Sequence, residues 1–247
     1  MGELTLAAVE GLPEIGRGDP LAELITARAD LRDGDVVAIA QKIVSKAEGR
    51  RVRLADVEPG PRARELAGRL DKDPALVEVI LAQSKRVVRE ERVLIVETHS
   101  GLVCANGGVD RSNAGPGDDV LLLPADPDGS ARRIRAELSA LSGLRLAVVV
   151  TDSFGRPWRI GQSDVAIGCA GIEALDDWRG RPDRDGRELE ATEIAIADQV
   201  AAAADLARDK TSGAPVVVVR GLAERVSSGD GPGAIELRRS DAEDLFR

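Results

Sequence analysis

Tyrosine is absent from this 247-residue chain, and the only aromatics are two phenylalanines and two tryptophans. There is one histidine, His99, and there are two cysteines, Cys104 and Cys169, far apart in sequence. Each shortage excludes a chemistry. One histidine and two distant cysteines cannot build a zinc finger or a His-Glu-x-x-His metalloprotease. Two cysteines give no disulfide framework and suit a reducing compartment. A formal net charge of −9 with no tyrosine argues against nucleic-acid binding, which needs basic surfaces and stacking platforms. No apolar run approaches the roughly 18–20 residues that span a membrane, and the N-terminal segment lacks the apolar core of a signal peptide. The expectation is a cytoplasmic protein with neither nucleic acid nor membrane as partner. Its catalysis, if any, rests on carboxylates, hydroxyls, Lys and Arg, a bound metal, or His99.

What is present is aliphatic, small and charged. Of 34 basic residues, only Lys42, Lys46, Lys72, Lys85 and Lys210 are lysines. Two of them lie four residues apart, and a lysine kept in an arginine-dominated chain hints at a need for a compact ammonium. The chance placement of two surface lysines is the alternative. Apolar runs predict strands over 36–40, 93–96, 102–105, 120–123, 146–150, 165–170 and 216–219, with Ser100-Gly101 turning a hairpin. Helical stretches are predicted over 21–29, 62–70, 74–82, 130–141 and 189–206, the first opened by Asp19-Pro20. Strands and helices do not alternate regularly enough for a doubly wound fold. The expected class is α+β, a mixed β-sheet with flanking helices.

Four segments place polar groups where a strand ends or the backbone turns tightly. Val9 to Ile15 contains a Gly-Leu-Pro turn, either ordinary or facing a ligand. Gln41 to Lys46 follows the strand ending at Ala40, and ligands in open α/β sheets bind beyond strand carboxyl ends. Lys42 and Lys46 share a face if a helix begins there, which suits a phosphate chain. Asn106 to Asp119 is rich in Gly, Asp and Asn; it is either a solvated loop or a source of backbone N–H groups and oxygen ligands for a hard cation. Val148 to Arg156 is the sharpest of the four. An apolar strand delivers Asp152 at its end with hydroxyls on both sides, the placement of an acid that holds a metal bridging phosphates. There is no P-loop, no Gly-x-Gly-x-x-Gly turn and no nucleophile elbow. His99 reads as a surface or packing residue, and Cys104 and Cys169 as small core residues.

In order along the chain, VEGLPEI (from Val9), DGDVVAIAQKIVSKAEGR (from Asp33), GGVDRSNAGPG (from Gly107), LLLPADPDGSA (from Leu121), VVVTDSFGRPWRIGQSDVAIGCAG (from Val148), DGRELEATEIAIADQVAAAADL (from Asp185) and PVVVVRGL (from Pro215) resemble the coenzyme F-420-0:L-glutamate ligases. The resemblance covers essentially the whole chain. It implies a GTP-dependent ligase that adds L-glutamate to coenzyme F-420-0, and further γ-linked glutamates, through an acyl phosphate with release of GDP and phosphate. It implies two divalent ions, Mn²⁺ or Mg²⁺, and assistance from K⁺. It also implies an unusual family-specific fold forming an intertwined homodimer. The implied GTP contacts fall on Leu12, Pro13, Glu14, Ile15, Gln41, Lys42, Lys46, Asn113, Lys210, Thr211, Ser212 and Gly213. The implied metal residues are Asp110, Asp152 and Ser153, with Asp110 and Asp152 catalytic. Ser153 departs from the threonine frequent in the family. Arg156, Trp158 and Arg159 are candidates for holding F-420-0. Residues 1–247 are expected to form a single γ-glutamyl ligase domain with no second flavin-binding domain. Two readings from other classes stay open: a nucleotide-binding regulatory module on the same fold, and a metal-dependent phosphohydrolase using the same acids with water as acceptor.

Overall fold

The computed structural model describes residues 2–112, 117–208, 213–240 and 242–244. Its main elements, in chain order, are β1 (Thr5–Val9), α1 (Leu21–Thr26), β2 (Val36–Ala40), α2 (Gln41–Ala47), β3 (Arg51–Arg53), α3 (Pro61–Leu70), α4 (Pro74–Ala82), β4 (Ser84–Glu91), β5 (Val93–Thr98), β6 (Val103–Ala105), β7 (Asp119–Leu121), α5 (Pro127–Ser142), β8 (Ala147–Arg156), β9 (Arg159–Ala170), β10 (Leu175–Asp177), β11 (Glu193–Ala195), α6 (Ile196–Ala207) and β12 (Val216–Arg220). The class is α+β. A five-stranded mixed sheet runs β1-β12-β2-β8-β9, and its one parallel pair is β2 with β8.

The sheet is buried on both faces, so its central strands are continuously apolar rather than alternating. Successive side chains still point to opposite sides. Val37, Ile39, Val148 and Val150 join Leu21 and Ile25 of α1, Ile43 and Val44 of α2, and Ile134 and Leu138 of α5 in one core. Val36, Ala38, Ala147, Val149, Val217 and Val219 face the other way, onto Ala197, Val200, Ala201 and Ala204 of α6. Ala201 and Ala204 of the alanine-rich stretch thus belong to the sheet-facing stripe of α6, where small side chains let the helix sit close.

Residues 51–121 build a second group of elements. The antiparallel sheet β4-β5-β6 and the pair β3-β7 are covered by α3 and α4, with two small cores around Leu66, Ile80 and Leu94 and around Leu54, Val79 and Val120. The helix expected over 189–206 begins later. Glu193–Ala195 instead pairs with Leu175–Asp177, and α6 starts at Ile196. The charged stretch 176–188 is mostly exposed, as expected. No helix among the described residues is long and apolar enough to cross a membrane.

The N-terminal turn of α5 meets β9 at Gly168, where a Cβ would lie 2.3 Å from the backbone carbon and oxygen of Pro127. Asp128 completes the joint: its Oδ1 accepts from the N–H groups of Cys169 (2.9 Å) and Ala234 (2.7 Å). Gly168→Ala is expected to cost about 1–3 kcal/mol through overpacking against backbone. Urea denaturation checks this, and an unchanged midpoint would mean that the contact is not tight.

Candidate functional site

The register of the parallel pair sets the position of the site. Ala40, the last residue of β2, lies opposite Thr151 of β8. Beyond that point β2 turns directly into α2, while β8 runs on, paired among the described residues only with β9. Gln41 and Lys42 therefore start a helix at the level where Asp152 leaves the shared edge. Lys42 and Lys46, one helical turn apart, lie on neighbouring positions of one helix face.

Asp110 reaches the same place from another element. Asn106, Gly107 and Gly108 all have left-handed backbones, with φ of 53°, 62° and 68°. Gly108 admits no side chain, since its Cβ would stand 2.5 Å from Leu123. The turn ends in a bridge in which Asp110 and Leu121 exchange both backbone hydrogen bonds, at 3.0 and 2.8 Å. With its backbone pinned, the Asp110 carboxylate meets the Lys42 ammonium at 2.7 Å and accepts from the Ser112 N–H (2.6 Å) and hydroxyl (2.9 Å). Lys42 also donates to the Ser112 hydroxyl. Lys46 is 8% exposed and pairs at 2.6 Å with Glu14, which is 81% exposed. Each lysine is thus already matched with a carboxylate.

The two acids differ electrostatically. Burial pushes the Asp110 carboxyl up, but the hydrogen bonds from Lys42 and Ser112 outweigh it and leave the group below its ordinary value. Asp152 is pushed up to about 7, first by burial and then by the negative charges of Asp164 and Asp110, against the Ser153 N–H and Lys42. The residues fit a divalent cation on this ground: Asp152 lacks the compensation that a cation would give it, and the available donors are hard oxygens. Among the described residues no group of three or more His, Cys, Asp or Glu could hold a metal. Two carboxylates would leave most coordination positions to water and substrate oxygens, the habit of Mg²⁺.

The other expected contacts are distributed as follows. Gln41 is buried; its Oε1 accepts from Ser45 (2.8 Å), and its buried Nε2 has no hydrogen-bond partner among the described residues. Leu12 packs partly against the main core, Ile15 lies inside it, and Pro13 and Glu14 are exposed. Gly213 forms an exposed turn with φ of 66°. Asn113, Lys210, Thr211 and Ser212 lie outside the described residues. Ser153 is adjacent to Asp152 on a strand, so its side chain points to the opposite face, where its hydroxyl donates to Asp164 Oδ1 at 2.6 Å. Arg156 binds the Ile160 carbonyl at 2.8 Å, and Trp158 and Arg159 stand exposed at the hairpin tip. A His99 ring nitrogen hydrogen-bonds the backbone carbonyl of Ala82. Cys104 is buried, and burial followed by the Asp152 charge pushes its thiol to about 12, so it is not a thiolate nucleophile. Sequence reasoning singled out neither Ser112 nor Asp164. An aspartate just ahead of the apolar run of β9 was the available signal for Asp164.

Residues 11–221 match the family described as F420-0:Gamma-glutamyl ligase. The chain belongs to that family. It is 48% identical over 247 residues to the "Coenzyme F420:L-glutamate ligase" of Halobacterium salinarum, covering 97% of this chain and 94% of that protein. The protein of the same name from Methanopyrus kandleri is 46% identical, with both chains covered in full. That of Archaeoglobus fulgidus is 44% identical over 97% of this chain and 94% of its own length.

The Asp152 carboxyl predicts a pH dependence. Its folded value lies above its unfolded one, so the folded protein holds an extra proton between about pH 4 and 7. The stability linked to that proton is lost as pH rises toward 7. In chelator-treated protein, Asp152→Asn should raise Tm at pH 8, by about 2–4 °C for each kcal/mol relieved. The gain should shrink at pH 5. Differential scanning calorimetry at both values checks it, and an equal change at both would refute the account.

Proposed function

We propose that this chain is a GTP-dependent ligase that joins L-glutamate to coenzyme F-420-0 and adds further γ-linked glutamates. Family membership and relatives named as glutamate ligases support the activity. The observation that carries the chemistry is the meeting of Lys42, Asp110 and Asp152 beyond the carboxyl ends of β2 and β8. It joins an ammonium suited to phosphates with two acids suited to a divalent cation, with no cysteine or histidine positioned as nucleophile.

In the reaction, an acceptor carboxylate oxygen attacks the γ-phosphorus, and the bond to the β–γ bridging oxygen breaks as GDP leaves with its electron pair. The amine of glutamate then attacks the acyl carbon, phosphate leaves, and the amine loses a proton to give the amide. Lys42 and Lys46 take up phosphate negative charge and release Asp110 and Glu14 as they do so. Gln41 Nε2 donates to the nucleotide, and Leu12, Pro13, Glu14, Ile15 and Gly213 shape its bed. Asp110 and Asp152 would hold Mn²⁺ or Mg²⁺, which would supply charge stabilisation to the transferring phosphoryl group, and K⁺ would assist; the hydroxyl of Ser153, the third expected metal residue, is turned away from them toward Asp164. The protein's own contribution is positioning and preorganised charge. Asn113, Lys210, Thr211 and Ser212 are retained as proposed contacts.

We place this single γ-glutamyl ligase domain in the cytoplasm as an intertwined homodimer with the family's own fold. The β8–β9 hairpin supports the dimer, since it holds Trp158 and Ile160 at 87% and 99% exposure, large apolar surfaces that a second copy would cover.

Incubation with GTP, Mn²⁺, F-420-0 and glutamate should release GDP and add one glutamyl mass per turnover. Phosphate release that does not depend on glutamate would favour a phosphohydrolase instead. Asp152→Asn should lower kcat by at least about 100-fold. Lys46→Met should weaken GTP binding by about 10–100-fold, the loss of one hydrogen bond to a charged group. Steady-state kinetics and calorimetry read both, and near-wild-type values would remove these residues from the site.

A further inference from the structure

Behind Asp152, on the opposite face of β8, lies a buried polar cluster that the mechanism above does not use. Asp164 of β9 is 5% exposed and pairs at 2.8 Å with Arg208, itself 9% exposed. The Thr151 hydroxyl donates to Asp164 Oδ2 at 2.8 Å, and the Ser153 hydroxyl to Oδ1 at 2.6 Å. Arg208 Nη1 donates to both Thr151 Oγ1 (2.7 Å) and Asp164 Oδ2 (2.8 Å). One carboxylate therefore grips the residues immediately before and after Asp152.

That grip falls where the strand loses one of its two ladder neighbours. Beyond Thr151, β8 has lost β2 as a neighbour, and its pairing with β9 shifts register between Val150 and Thr151. A one-residue slip would send Asp152 to the wrong face. Backbone pairing is one-sided and irregular here, and a buried, doubly hydrogen-bonded and charge-neutralised carboxylate is a strong way to fix the register. We propose that Asp164 is a positioning residue for the metal site: through Thr151 and Ser153 it holds the strand end so that the Asp152 carboxylate faces Asp110 and Lys42, while Arg208 neutralises it. Second-layer partners of this kind set ligand orientation and hence metal affinity. The inference rests on the reading that Asp110 and Asp152 hold a divalent ion.

The test uses Mn²⁺ alone as probe, followed by electron paramagnetic resonance on the full chain, with amide hydrogen exchange beside it. Asp164→Asn should raise the Mn²⁺ Kd about 10-fold or more and speed exchange at residues 151–153. GTP binding measured without divalent ion should change less than twofold. Thr151→Val keeps the Asp164–Arg208 pair and all charges; it should weaken Mn²⁺ about 2–10-fold, because the hydroxyl's bonds with Asp164 and Arg208 are both lost, and Thr151→Ser should restore it. Thr151→Val also serves if Asp164→Asn fails to fold. Wild-type Mn²⁺ affinity in folded variants would overturn the proposal. So would a loss in Asp164→Asn with none in Thr151→Val, because the effect would then be charge rather than position. If the wild type itself binds no Mn²⁺, the metal reading falls, and exchange alone decides the positioning role: faster exchange in the variants upholds it, and unchanged exchange rejects it.

Discussion

The parallel pairing of β2 with β8 is the constraint on which the rest of this molecule depends. Both strands are apolar on both sides because helices cover both faces of the sheet, and the pairing runs from Val36 opposite Ala147 to Ala40 opposite Thr151. Parallel neighbours end at the same edge, so whatever follows each strand is delivered to one place. Here that is the first turn of α2, with Gln41 and Lys42, and the strand extension with Asp152. The placement comes from backbone register in a packed core, the rigid kind of support that a charge-aligned site needs.

Charge is the second organising theme. The chain carries −9, and the substrates proposed for it are anionic, so the overall field opposes their approach. The local arrangement resolves this through internal pairs. Lys42 is held by Asp110 and Lys46 by Glu14, which keeps the ammoniums in place and partly neutralised until phosphates arrive. A divalent ion on Asp110 and phosphates on Lys42 would each free the partner that the other needs. Binding of the two ligands is then mutually supportive. Asp152, pushed up to about 7, is the group with most to gain from a cation.

Much of this was legible in the sequence, and the omissions have physical causes. The strands at 36–40, 146–150 and 216–219 are unbroken apolar runs, and packing on both faces leaves them no other fate. β1 went unnoticed because it is a half-exposed edge strand. β4, Ser84–Glu91, is so charged and exposed that no apolar period marks it, and it exists through its pairing with β5. The helix expected over 189–206 was begun too early because Glu193–Ala195 is fixed by a long-range partner at Leu175–Asp177, which local propensity does not see. In the site, the lysine spacing and the strand-end aspartate were readable locally. The Asp110–Lys42 contact joins residues far apart in sequence. Asp164 stands just ahead of an apolar run, but its partnership with Thr151, Ser153 and Arg208 has no local signature, since it depends on which face of β8 each hydroxyl occupies.

The central claim is that the acceptor carboxylate itself attacks the γ-phosphate, with the protein supplying alignment and charge. The direct test is to label both oxygens of the reacting F-420-0 carboxylate with ¹⁸O and to analyse the phosphate released in the presence of GTP, Mn²⁺ and glutamate. The account predicts one ¹⁸O in the inorganic phosphate released with the first glutamate added to each acceptor, carried across when the amine displaces phosphate from the acyl phosphate. Phosphate free of label, formed while the product carries a single added glutamate, would contradict it.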